Sequence, residues 1–202
     1  MRAPRASIAL VGAVLAVGGC SAKPAAAPAS APASSARAAL PHSGAPKVDH
    51  PLPASVLSGD PCQSALTSDQ LAQILGTVPQ GEPDSIDGLG SSCDWHADAS
   101  VSVSYVTQDH QGLSAVYRNA KPQTSVWRVF PLIQGFPAVG YVSRESKLGD
   151  ICTVSVGIAD SVSFDAGLIL SRARKDAHAD PCELAARVAG MVATNLRRKA
   201  GS

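Results

Sequence analysis

The chain has 202 residues, of which 45% are hydrophobic and 16% are charged, and its formal net charge at pH 7 is +1. The charge is unevenly distributed, because residues 60–196 hold nine Lys and Arg against fifteen Asp and Glu, a net charge of −6. A domain of that sign does not follow a phosphate backbone, which excludes nucleic acid as a partner.

The N-terminus has the three-part layout of an export signal. Residues 1–5 carry two arginines, residues 8–17 are apolar, and small residues lead to Cys20. The apolar run is shorter than the roughly 20 residues that a membrane-spanning helix needs. The sequence therefore predicts a cleaved signal peptide over residues 1–19.

Cys20 is the candidate for lipid attachment. The run Val17-Gly18-Gly19-Cys20 resembles the lipobox of bacterial lipoproteins, in which the cysteine thiol receives a diacylglyceryl group and becomes the first mature residue. The chain has five cysteines, so one stays unpaired in an oxidising compartment. Both observations predict a lipoprotein that the lipid on Cys20 anchors to the extracytoplasmic face of the cell membrane.

Residues 20–58 are predicted to form a disordered tether. Ala, Pro and Ser dominate this stretch, and it has too few large apolar residues to form a core. His42 and His50 lie inside it and are expected to be solvated. Residues 59–199 are long enough for one globular domain with a buried core.

Helix signals stand near both ends of that domain. Asp60 and Asp180 each precede a Pro-Cys pair, where Asp can cap a helix and Pro fits its first position. Thr67 and Gln70 fit a capping box, and the helix that follows is expected to stop at Gly76. After Asp180, apolar residues recur on one helical face up to Leu196.

Period-two patterns predict strands between the two helices. The clearest are residues 101–105 and a hairpin of residues 152–158 and 162–170. Residues 125–130 and 136–142 are further predicted strands, residues 112–120 a short helix, and residues 81–90 and 171–179 turns or loops. The prediction is an α+β domain, an antiparallel sheet packed by N- and C-terminal helices.

The remaining four cysteines, Cys62, Cys93, Cys152 and Cys182, are expected to form two structural disulfides. No Cys-x-x-Cys pair or zinc-ligand spacing occurs among them, so neither a metal nor a cofactor is predicted. Three pairings are possible. We favour Cys62 with Cys93 and Cys152 with Cys182, because each bridge ties a terminal helix to the strand nearest in sequence. The main rival joins the two Asp-Pro-Cys turns to each other.

The order and surroundings of the cysteines resemble the DUF3558 family of actinobacterial lipoproteins, whose function is unassigned. The resemblance is carried by Asp60-Pro61-Cys62, Cys93-Asp94-Trp95, Gly135-Phe136-Pro137-Ala138-Val139, Cys152 and Asp180-Pro181-Cys182-Glu183-Leu184-Ala185. It implies an antiparallel sheet flanked by helices, as in the PsbP/Mog1-like group. It implies no catalytic residue.

Two His and two Asp flank the predicted strand 101–105 and could supply a metal or an acid–base site: His96, Asp98, Asp109 and His110. They fall at strand ends and turns, where polar side chains are usually exposed. Trp95 is expected to pack against a disulfide. No Gly-x-Ser-x-Gly elbow occurs. A hydrolase with a Ser/His/Asp or carboxylate site near His96 and Asp98 is the alternative function.

The leading functional hypothesis is non-enzymatic binding of an envelope protein or a small apolar ligand. The segment 130–142 is rich in large apolar residues and interrupts the alternation seen elsewhere. Phe130, Phe136 and Tyr141 are therefore the candidate lining of a ligand groove. The competing interpretation is a bulge or bend between two core strands.

Overall fold

A computed structural model describes residues 39–146 and 149–201. The predicted signal peptide, Cys20 and the first part of the predicted tether lie outside these residues. The α-helices are α1 Pro61–Ser64, α2 Ser68–Leu75, α3 Leu113–Ala115, α4 Arg172–Asp176 and α5 Pro181–Ala200. Two 3-10 turns, Ala54–Leu57 and Lys121–Gln123, and a π-helical turn, Val116–Ala120, complete the helical structure.

Seven strands form one antiparallel sheet in the order β1-β2-β3-β7-β6-β5-β4. They are β1 Glu82–Ile86, β2 Gly90–His96, β3 Ser100–Val106, β4 Thr124–Ile133, β5 Phe136–Ser143, β6 Ile151–Ala159 and β7 Val162–Ile169. The predicted α+β architecture with terminal helices is confirmed.

Local capping explains where the helices begin. The Thr67 backbone N–H donates to Gln70 Oε1 at 2.8 Å, and the Gln70 N–H donates to Thr67 Oγ1 at 3.3 Å, which is the predicted capping box. The carboxylates of Asp60 and Asp180 accept from the N–H groups of Cys62 and Cys182. Gly76 ends α2 in the left-handed conformation.

Both favoured disulfides are present. Cys62 of α1 is bonded to Cys93 of β2, and Cys152 of β6 is bonded to Cys182 of α5, with Cα separations of 5.1 and 5.0 Å. The rival pairing is therefore wrong. Each bridge fixes the first turn of a helix to a strand. Asp60 and Asp180 cap these same two helices.

One face of the sheet carries the core. Alternate residues of β3, β5, β6 and β7 point to this face, and α5 packs across β6 and β7. Fully buried members include Tyr105, Val154, Phe164 and Leu196. Trp95 is also buried, and its indole lies beside the Cys62–Cys93 disulfide, as expected from the sequence.

The predicted boundary of the domain at residue 59 needs correction. Val48, Leu52 and Leu57 are buried in the same core as the sheet. The Val48 N–H donates to Asp160 Oδ1, and the Leu52 N–H donates to the Ile158 carbonyl, both at 2.9 Å. Widely spaced apolar residues in a Pro- and Ala-rich segment are enough for packing when the sheet supplies the other surface.

Two further segments differ from the sequence prediction. Part of residues 81–90, predicted as turns, forms β1, an exposed edge strand that contains Pro83. The predicted loop after β7 contains the short helix α4, which Ser171 caps. Within the described part of the chain, no helix is long and apolar enough to cross a membrane.

Candidate functional site

The second face of the sheet lies opposite the main core and carries hydroxyls and carboxylates. A smaller hydrophobic cluster of Leu113, Tyr117 and Val139 covers part of it. We call this second face the polar face and define it by Tyr141, Thr153, Ser155, Asp165, Ser102, Ser104 and Asp94. Strand alternation places these side chains there, since their neighbours Val154, Phe164 and Val103 belong to the core. All except Ser155 are partly exposed.

The strand register aligns these residues in two rows across the sheet. One row runs Tyr141, Thr153, Gly167, Ser102, Asp94 and Glu82, and the next runs Ser155, Asp165, Ser104, Ser92 and Asp84. Neighbouring strands lie about 4.8 Å apart, so each row brings a polar group into reach of the next one. The rows join residues distant in sequence into one surface.

A hydrogen-bonded group occupies the centre of the polar face. Ser155 Oγ donates to Asp165 Oδ1 at 2.5 Å, and Ser155 also bonds with the Tyr141 hydroxyl. Burial raises the pKa of Asp165 to about 6, although the Ser155 hydrogen bond acts in the opposite direction. Burial and the Asp165 charge also raise the pKa of Tyr141, so its hydroxyl stays protonated.

Small residues without long side chains occupy the middle of the polar face. A side chain at Gly167 would force the Ser102 side chain to move, because a Cβ atom there would clash with Ser102 Oγ. Thr153 Oγ1 lies on its other side, 3.9 Å from the same Cβ position. Two hydroxyls therefore converge over a glycine at the centre of the sheet.

Aromatic residues border this group of small residues on the side of β4 and β5. The Trp127 ring stacks on Tyr141 with centroids 6.2 Å apart, and its edge meets Tyr117 at 5.0 Å. The Lys121 ammonium lies 5.3 Å from the Trp127 centroid. Trp127 and Tyr141 are thus held in place by neighbours and present a rigid border.

The opposite border, on β1 and β2, is acidic. Glu82 pairs directly with Asp94, and Asp84 lies one row away. Burial raises the pKa of Asp94; the nearby His96 lowers it, and the carboxylates of Asp84 and Glu82 raise it further. This border favours cationic or neutral groups over anions.

The predicted groove of Phe130, Phe136 and Tyr141 is not one site. Phe136 is buried in the core, and Phe130 packs on the same side of the sheet against Gly140. Tyr141 points to the polar face, because it is one residue out of phase with them. Residues 134 and 135 make a tight turn between β4 and β5, as in the competing interpretation.

The predicted hydrolase residues come together only in part. His96 Nδ1 and Ser100 Oγ lie 3.2 Å apart at the β2–β3 hairpin, whereas Asp98 is exposed in the turn between them. Asp109 accepts a hydrogen bond from the Gln111 N–H. No group of three His, Cys, Asp or Glu within the described ranges is placed to hold a metal ion.

Sequence reasoning did not single out Asp165, Ser155 or Thr153. They are the outward positions of the predicted hairpin, where a Ser or an Asp is ordinarily solvated. The available signal was that these positions hold small hydroxyl residues and one acid in place of long charged side chains.

Comparison with known proteins identifies a family and no characterised relative. No curated protein and no solved structure matches the chain. The family model described as "Protein of unknown function (DUF3558)" matches residues 15–195, which is most of the chain and includes every residue of the polar face. The chain therefore belongs to the DUF3558 family.

Proposed function

We propose that this protein is a lipid-anchored lipoprotein of the extracytoplasmic membrane face, and that its domain is a non-enzymatic binding protein of the cell envelope. The observation that carries the binding function is the polar face. Its aligned, partly exposed hydroxyls and its central carboxyl are held in fixed positions by strands and by the bonds of Ser155. Side chains held on strands position a binding surface more precisely than side chains on loops.

Three observations support anchoring. The signal layout leads to Cys20, the other four cysteines are paired in disulfides, and disulfides persist in extracytoplasmic compartments. The family match begins at residue 15, so it includes Cys20 and the residues just before it. Two or more acyl chains are sufficient for stable membrane attachment.

Metabolic labelling with palmitate tests the anchor. We expect label on the mature protein, an acylated N-terminal peptide that starts at Cys20, and membrane attachment that survives a salt wash. Cys20→Ser should abolish the label and release the protein from the membrane fraction. A mature N-terminus elsewhere, without acyl chains, would refute lipid attachment at Cys20.

Photo-crosslinking in intact cells tests the binding face. A photoreactive amino acid at Ser104, in the centre of the polar face, should capture material that the same group at Thr194 does not. Thr194 is the matched control because it is exposed on α5, on the other side of the sheet. Equal capture at both positions would count against the polar face as the binding surface.

A hydrolase is the second candidate, favoured by the contact between His96 and Ser100. A nucleophilic serine needs such a neighbouring base, which in turn needs an orienting group. Asp94 interacts with His96 through charge, but both His96 and the adjacent turn are exposed. Ester hydrolysis by the purified protein that His96→Ala abolishes would establish this function instead.

A further inference from the structure

We infer that the ligand of the polar face is a neutral, hydroxyl-rich glycan chain of the cell envelope. This inference rests on the proposed binding function and names the ligand class for the same surface. It follows from the chemistry of the lining groups, from their charge, and from the aromatic ring of Tyr141 beside Thr153.

The lining groups match the hydrogen-bonding needs of a sugar. Thr153 and Ser102 can both donate and accept, and Asp165 supplies an acceptor that holds its position by a bond to Ser155. Each sugar hydroxyl is likewise both donor and acceptor. A surface that offers both roles at neighbouring positions suits a chain of hydroxyls.

Charge argues against the alternative ligands. The carboxylates of Asp94, Glu82 and Asp84 border the face and repel phosphates, anionic lipids and acidic polysaccharides. An apolar ligand would leave the hydroxyls of the central rows desolvated and unpaired. Protein interfaces are centred on large aromatic or apolar anchors, whereas the centre of this face consists of glycine, serine, threonine and aspartate.

The border of β4 and β5 adds a sugar-compatible surface. Tyr141 is partly exposed beside Thr153, and its ring is held by stacking on Trp127. The C–H groups on one side of a pyranose ring pack well on such an aromatic surface, while its hydroxyls stay free for Thr153.

Equilibrium binding tests the inference on the full chain, purified in a detergent without a sugar headgroup. The probes are four neutral oligosaccharides: chitotetraose, cellotetraose, maltotetraose and mannotetraose. Polygalacturonate is the anionic comparison. A change in tryptophan fluorescence reports binding, because Trp127 stacks on Tyr141 at the border of the face, whereas Trp95, the other tryptophan, is buried in the core.

We expect at least one neutral probe to bind with micromolar to millimolar affinity, and polygalacturonate not to bind. Thr153→Val combined with Ser102→Ala should weaken binding by at least about tenfold. Thr194→Val on α5 is the matched control and should leave the affinity unchanged.

Absence of binding by every neutral probe, or preference for the anionic one, would overturn the glycan assignment. Capture of a protein alone by the photoreactive group at Ser104 would overturn it too, while the proposed binding function would stand. Equal capture at Ser104 and Thr194 would instead remove the binding function on which this inference rests.

Discussion

Ser155 on β6 donates a hydrogen bond to the carboxyl of Asp165 on β7, and the two residues are directly paired in the strand register. Both sit on the side of the sheet that faces away from α5. The carboxyl is poorly solvated there, which is why its pKa lies near 6 in place of the ordinary value near 4. A titration in this range makes the stability of the domain change between about pH 4 and pH 6.

We predict that the Asp165 carboxyl lowers stability as the pH rises. Its raised pKa means that the folded state binds the proton more tightly than the unfolded chain does. The contribution is complete below about pH 4 and is lost as the pH rises through about 6, a difference of about 3 kcal/mol at most. Asp165→Asn should therefore stabilise the domain at pH 7.5 and change it little at pH 4.

Urea denaturation of both proteins across pH 4 to 7.5 measures this effect. Asp98→Asn, in the exposed hairpin turn, is the control and should reproduce the wild-type pH dependence. Parallel stability curves for wild type and Asp165→Asn would show that the pKa of Asp165 is not raised.

The packing of residues 39–58 predicts a loss of stability when Leu57 is truncated. Leu57 is 3% exposed in the main core, whereas Leu132 on the edge strand β4 is 65% exposed. Leu57→Ala should cost about 2 to 5 kcal/mol, and Leu132→Ala should cost within about 0.5 kcal/mol. Denaturant midpoints of the two variants test this. Equal small effects would place the segment outside the cooperative core.

The disulfide between Cys152 and Cys182 closes a loop of 30 residues and should stabilise the domain by about 3 to 4 kcal/mol. The double variant Cys152→Ala with Cys182→Ala tests this, because it removes the bridge without leaving a free thiol. Peptide mapping without reductant should recover Cys62 linked to Cys93 in the variant. Unchanged stability of the double variant would contradict the prediction.

Asp180 combines a helix cap with an ion pair, and its variants should separate the two roles. Burial alone would raise its pKa, but hydrogen bonds from Arg128 and from the N–H groups of Glu183 and Cys182 hold the pKa below its usual value. Asp180→Ala removes both roles and should cost about 1 to 2 kcal/mol. Asp180→Asn keeps the cap.

The Arg128 pair is partly solvent-exposed, so Asp180→Asn and Arg128→Ala should each cost no more than about 1 kcal/mol. Only the ion-pair contribution should weaken at high salt, since the cap is a local hydrogen bond. Thermal unfolding at low and high ionic strength distinguishes the two. A larger loss for Arg128→Ala than for Asp180→Ala would contradict this division.

Local signals predicted much of the fold. The capping box at Thr67, the Asp-Pro-Cys starts and the hairpin of β6 and β7 depend on neighbours within a few residues, and all are present. By contrast, β1 has no alternation and is entirely exposed, so it is a strand only because β2 pairs with it.

The candidate site could not be predicted from neighbouring residues either, because it also depends on strand pairing. Alternation could show that Ser104 and Asp165 point away from the core, but they are 61 positions apart and become neighbours only through the β3–β7 register. Likewise, alternation placed Tyr141 out of phase with Phe136, which the predicted groove overlooked.

The packing of residues 39–58 against β6 also sets how far the domain can work from a lipid on Cys20. Because the folded part already includes Val48 and Leu52, no more than 19 Cα steps separate Cys20 from Ala39, the first residue that the structure describes. Fully extended, they span about 65 Å. An anchored domain would therefore sample only the layer of envelope nearest the membrane, and glycan strands beyond that height would be out of its reach.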